Sequence, residues 1–144
     1  MSKSPRRACD GFPAQRLQLL CAVIEKRLAL SVGSRDVYMK VAGGLRVTEP
    51  CADLAAAVTV VSSLMSRKIR AGVALIGEIG LGGELRRAKG VEARISEAAK
   101  LGFRMIVVPA YVVSKSKRLS DSAREIRADG GKDASCCFDH FVLR

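Results

Sequence analysis

The sequence predicts an α+β fold, a mixed β-sheet packed with helices, and three observations predict it. Apolar residues recur with helical period in segments separated by short runs of strand length. Glycines stand between these segments, where the chain has to turn. With 49% hydrophobic residues, a chain of 144 residues holds enough apolar side chains for one sizeable core.

Residues 1–12 read as a flexible lead-in. From Gln15 to Leu28, Leu17, Leu20, Cys21, Ile24 and Leu28 share a helical face, with Arg16, Glu25 and Lys26 on others. Gly33 marks a turn. Between Asp36 and Ala42, Val37, Met39 and Val41 alternate with Tyr38 and Lys40, the pattern of a half-buried strand, which Gly43 and Gly44 end. Thr48 to Pro50 signals a helix start: Thr48 or Glu49 can satisfy orphan amides, and proline suits the first turn. The helix it opens runs to Ser66 and, rich in alanine and valine, is expected in the core. Gly72 to Ile79 is an apolar run of strand length. Gly80, Gly82 and Gly83 make the turn of a hairpin with Leu85 on its return arm. Val91 to Leu101 is amphipathic and stopped by Gly102, and Arg104 to Pro109 reads as a buried strand. One domain over residues 13–111 results. Residues 112–144 read as a divergent tail, poor in apolar anchors and prone to disorder, with one short helix through Leu119, Ala123 and Ile126.

Composition narrows the function. The 25 basic and 14 acidic residues leave a net charge of +11, which attracts phosphate polymers. Apolar runs stay short of the roughly 18 residues of a membrane span, so no membrane partner is expected. The start, MSKSPRRACDGF, lacks the apolar stretch of a secretory signal; it is compatible with a transit peptide or with the cut end of a longer protein. Cys9, Cys21, Cys51, Cys136 and Cys137 are odd in number and form no C-x-x-C pair, so idle thiols in a reducing compartment are expected. Cys136, Cys137 and His140 lack a fourth ligand pattern, and no metal site is expected. The chain has no GxxxxGK[ST] phosphate loop, and the glycines from Gly77 to Gly83 lack dinucleotide-binding spacing.

Three motifs occur in fixed order: GGLRVTEPCADLAAAV (Gly43 to Val58), GEIGLGGELRR (Gly77 to Arg87) and ARISEAAKLGFRMIVVP (Ala93 to Pro109). Together they resemble the C-terminal Lon-protease-like domain of the RadA/Sms family of DNA repair proteins, bacterial or plant-organellar. The resemblance covers about half the chain directly and extends back through Gln15 to Leu28. It implies a Lon proteolytic-domain-like fold, related to the second domain of ribosomal protein S5. It implies a parent protein in which a zinc finger and a RecA-like ATPase precede this domain. That parent would assemble into a hexameric ring and use ATP to drive branch migration in recombinational repair. ATP and zinc are then expected in other parts of the parent, and no cofactor in this chain. The place of action would be the cytoplasm or nucleoid in a bacterium, and the chloroplast or mitochondrion in a plant. The SCCFDHFVLR ending departs from the family's closing strand and helix.

A Lon-like fold raises the question of proteolysis. Lon peptidases pair a serine with a lysine of lowered pKa that acts as general base. In this chain the resemblance aligns Ala52 with the serine and Glu92 with the lysine. Alanine offers no nucleophile and glutamate no amine, so no catalytic residue is expected. A one-residue slip brings Cys51 or Asp53 to the first place without restoring the pair. Glu49 and Glu78 are expected to bond backbone amides or arginines.

Cations are clustered. Arg67, Lys68 and Arg70 follow the central helix, and Arg86, Arg87, Lys89, Arg94, Lys100 and Arg104 occupy the next strand–helix–strand segment, opposed between residues 86 and 104 by Glu92 and Glu97. Such density suits contacts to double-stranded DNA phosphates, which position a duplex without reading its sequence. Aromatic residues are only 4% of the chain, too few for a base-stacking platform. Two other readings stay open: a Lon-type peptidase with an unconventional nucleophile, and a pure oligomerisation module whose charge serves solubility.

Overall fold

Leucine, valine and alanine fill most of α2 (Asp53–Met65), and it is the centre of the core. Leu54, Val58 and Val61 are fully buried, each worth about 1.5–3 kcal/mol of transfer from water. Across it packs α1 (Ala14–Leu28), presenting Leu17, Leu20, Cys21 and Ile24, as its period predicts. The computed structural model describes residues 4–115 and 127–131, with side chains described through Val112.

Two short strands lie before and after α1. β1 (Arg7–Asp10) pairs in parallel with β2 (Val37–Lys40), Arg7 opposite Val37 and Asp10 opposite Lys40. β2 shows the expected alternation, with Val37 and Met39 half-buried and Tyr38 and Lys40 exposed. β1 corrects the reading of a flexible lead-in. Its Arg7 side chain donates to the carbonyls of Val32 (2.9 Å) and Arg35, fastening the strand to the loop after α1. The chain then turns at Gly11, whose φ is 79°. A Cβ there would stand 2.4 Å from the Leu45 carbonyl, so only glycine fits beside the crossing 45–47 segment.

The second half is a crossover unit. β3 (Val73–Leu75) and β7 (Arg127–Gly131) flank β6 (Met105–Pro109), all parallel. Between β3 and β6 come a hairpin, β4 (Glu78–Ile79) with β5 (Leu85–Arg86), and α3 (Val91–Lys100). β6 is buried on both faces, as a continuous apolar run in a parallel sheet should be. Its side chains alternate between two cores: Val107 joins the α1–α2 cluster, and Ile106 and Val108 join the cluster under α3. A short helix, α4 (Ala110–Lys115), follows.

The α+β class stands, but the single mixed sheet resolves into three small ones among the described residues. The separation of β4 and β5 from the parallel sheet arises in the run from Gly72 to Ile79, expected as one strand. Ile76 still donates to the Val107 carbonyl (2.9 Å), but Gly77 leaves the ladder and donates to the Cys51 carbonyl (2.8 Å). The strand therefore breaks at Gly77 and resumes as β4. In the segment read as a divergent tail, β7 extends the parallel sheet. Leu119, Ala123, Ile126, Cys136, Cys137 and His140 lie outside the described residues. No helix of the described residues is long and apolar enough to cross a membrane.

Candidate nucleic-acid interface

The EPCADLA segment builds the first part of the site. Pro50–Ala52 form a 3-10 turn that runs straight into α2. Neither Thr48 nor Glu49 caps the helix with its side chain, contrary to expectation; the Leu54 amide instead donates to the Gly77 carbonyl at 3.0 Å. Backbone from the broken strand thus satisfies an orphan amide of the helix start.

Asp53, in the first turn and buried, accepts from Arg16 Nε at 3.0 Å and from the Ile79 amide at 3.3 Å. The same guanidinium donates to the carbonyls of Thr48 (2.8 Å) and Glu49 (3.0 Å) and lies 5.0 Å over the Phe12 ring. Arg16 and Asp53 therefore join α1, the helix start and β4, and the carboxylate also complements the dipole of α2. Sequence reading placed Arg16 only on a polar helix face. Its partner is 37 residues away, and no local signal links the two.

The Pro50 turn and the start of α3 come together. Glu49 accepts from Arg94 Nη2 at 3.2 Å, joining the Pro50 turn to α3 and confirming its expected arginine partner. Cys51 is half-buried against the apolar cluster that holds Ala88, Val91 and Ile95. Glu92 is exposed in the first turn of α3, where it lines a cleft of about 360 Å³ with Arg87, Lys89 and Tyr111. Ala52 stands at the end of the 3-10 turn. Among the described residues no group of three or more His, Cys, Asp or Glu side chains assembles.

The nine cations do not form one patch. α3 runs back along the parallel sheet, so its first turn lies at the strands' C-terminal ends and its last turn at their N-terminal ends. With about 1.5 Å of rise per residue, a helix of this length separates the two by roughly 15 Å. Arg86, Arg87, Lys89 and Arg94 fall at the C-terminal ends, and Arg67, Lys68, Arg70, Lys100 and Arg104 at the N-terminal ends.

Most cations of the first group have partners. Arg86 bonds Glu84 (2.9 and 2.8 Å), Arg94 bonds Glu49 and the Lys89 carbonyl (3.1 Å), and Arg87 lies 6.0 Å over the Tyr111 ring. The backbone amide at Glu84, aided by Arg86, holds the Glu84 carboxyl below its ordinary range. Burial pushes the Cys9 and Cys21 thiols up, which suits idle thiols.

Comparison with known proteins identifies the relatives of this arrangement. The sequence model of the family described as "Subunit ChlI of Mg-chelatase" matches residues 22–111. The chain belongs to this family. It is 44% identical to the DNA repair protein RadA of Bacillus subtilis over 107 residues, 74% of this chain and 23% of that protein. It is 46% identical to that of Synechocystis over 106 residues, 74% of this chain and 21% of that protein. The RadA protein of Chlamydia muridarum is 45% identical over 107 residues, 74% of this chain and 24% of that protein. These relatives support the RadA/Sms resemblance. The chain spans about a quarter of their length.

Proposed function

We propose that this chain is the non-proteolytic, Lon-like DNA-contacting and ring-scaffold domain of a RadA/Sms-type protein acting in DNA repair and recombination. The similarity to DNA repair proteins named RadA, across three quarters of the chain, carries the reading. In the parent protein, ATP and zinc serve the ATPase and finger outside this chain, and a hexameric ring drives branch migration. The fold assigned is that of the Lon proteolytic domain, related to the second domain of ribosomal protein S5. The family takes its name from a chelatase subunit, but the relatives named RadA favour the repair reading.

Loss of proteolysis is supported by chemistry. Ala52 has no nucleophile, Glu92 offers no amine, and Cys51 packs on an apolar cluster. Binding of duplex DNA through Lys and Arg is supported by the charge of +11. A titration of fluorescent duplex DNA at several salt concentrations, with the mass in solution measured alongside, tests the proposal. Affinity that falls steeply with salt is expected, together with casein digestion at background level. Absence of binding at low salt would leave a pure oligomerisation module. Digestion abolished by Cys51→Ala would establish a peptidase.

A further inference from the structure

The two basic ends differ in how their charge is engaged. Residues 67–72 and 98–105 contain Arg67, Lys68, Arg70, Lys100 and Arg104 and no acidic residue. The ladder holds these stretches together, since the amides of Arg104 and Met105 both donate to the Gly72 carbonyl, at 2.9 and 3.1 Å. Arg67 is the cation farthest from Gly72 along its stretch, and at about 3.4 Å per residue it lies within roughly 17 Å of that junction. All five side chains are exposed. Lys100 reaches Glu97 at 3.6 Å; the other four have no ion-pair partner among the described residues. At the opposite end, Glu84, Glu92 and Glu49 stand among Arg86, Arg87, Lys89 and Arg94 and neutralise most of their charge.

We infer that the edge at the N-terminal ends of β3 and β6, carrying Arg67, Lys68, Arg70 and Arg104, is the surface that grips duplex DNA phosphates, while Arg86 and Arg94 chiefly fasten the fold. The inference rests on the DNA-binding reading above and assigns its place. A phosphate approaching Arg86 or Arg94 competes with an internal carboxylate. A phosphate approaching Arg67 or Arg104 displaces only solvent counterions, which is the source of favourable salt-dependent binding. An anionic membrane offers phosphates too, but the large apolar side chains exposed at this edge are Leu101 and the partly exposed Met65, too little for an inserting face.

The test compares two variants of the full 144-residue chain: Arg67→Gln/Arg70→Gln/Arg104→Gln at the inferred edge and Arg86→Gln/Arg87→Gln at the other. Each is titrated with a duplex of unrelated sequence from low to high salt, after its melting temperature has been measured. The edge variant should flatten the log–log salt slope by about 2.7, or 0.9 per lost contact, and the other should leave the slope near that of the parent. Should the triple variant not fold, single Gln variants each shift the slope by about 0.9, and Arg→Lys variants retain it. The reverse pattern, with Arg86→Gln/Arg87→Gln carrying the loss, overturns the inference and keeps the DNA reading. A parent chain that ignores duplex DNA overturns both. Binding to phosphatidylcholine vesicles containing phosphatidylserine, without binding to DNA, makes the edge a membrane surface instead.

Discussion

The two ends of the parallel sheet carry similar numbers of cations and use them in different ways. At the C-terminal ends of the strands, arginines face carboxylates and carbonyls. Arg16 holds Asp53, Arg94 holds Glu49, and Arg86 holds Glu84. At the N-terminal ends, Arg67, Lys68, Arg70 and Arg104 face water. The first arrangement makes a joint between helices and hairpin, and the second leaves charged side chains exposed. Both groups are rich in Lys and Arg along the chain, but Glu84 and Glu92 stand beside the first and residues 67–72 and 98–105 hold no acid. The position of the acids, in the chain and in space, separates a joint from an exposed charged surface.

Substitutions can break this comparison, and the core sets the largest effect. Leu54→Asp places an unpaired charge where the side chain is fully buried, between the two ends. A loss of several kcal/mol or outright unfolding is expected, read as a melting temperature lowered beyond that of any surface variant. An unchanged melting temperature would move α2 to the surface.

At the joint, Arg16→Ala leaves the buried Asp53 without its charged donor and two carbonyls without theirs. A loss of about 1.5–3 kcal/mol in urea unfolding follows from removing charge-assisted bonds to a largely buried group. If Arg16→Ala melts like the parent, the joint is not what holds the helix start.

The next contrast sharpens the comparison. Arg94→Ala removes a partly exposed pair with Glu49 and should cost up to about 1 kcal/mol. Arg104→Ala, at the other end, should stay within about 0.5 kcal/mol. Equal losses in both would erase the distinction between the ends.

The smallest effect is one of pH. Because the folded Glu84 has a lowered pKa, its ionised form stabilises the fold above the ordinary value of 4.5, and that stabilisation disappears as pH falls through the lowered value. The parent should melt above Glu84→Gln at neutral pH, and the gap should close in acid below 4.5. A gap independent of pH would assign the effect to side-chain packing at the turn rather than to the ionised carboxylate and its bonds to the Glu84 amide and Arg86.

Much of the fold was legible because it is written in short-range periods. The faces of α1 and α3, the alternation in β2 and the glycine turn between β4 and β5 all follow from residues within a few positions of each other. β1 was missed because a four-residue strand of Arg, Ala, Cys and Asp carries no apolar pattern; it forms by pairing with β2, about thirty residues away. The break at Gly77 was hidden as well, since an apolar run does not say which hydrogen bonds its backbone will make. The same limit applies to the site. The Pro50 helix entry and the amphipathic α3 could be read from local pattern, and Glu49's expected arginine partner is Arg94. The Arg16–Asp53 pair and the division of nine cations into two groups depend on long-range contacts, so neither could be found along the chain.

The alternation of β6 has one more consequence. Val107 belongs to one apolar cluster and Ile106 and Val108 to the other, so a single strand is a wall common to both. Sliding it by one position would exchange the occupants of the two cores at once, and the pairing with β3 therefore has only one workable register. Neither half can melt and leave its neighbour's wall standing. The two cores should lose their order together, in a single calorimetric transition with equal van't Hoff and calorimetric enthalpies.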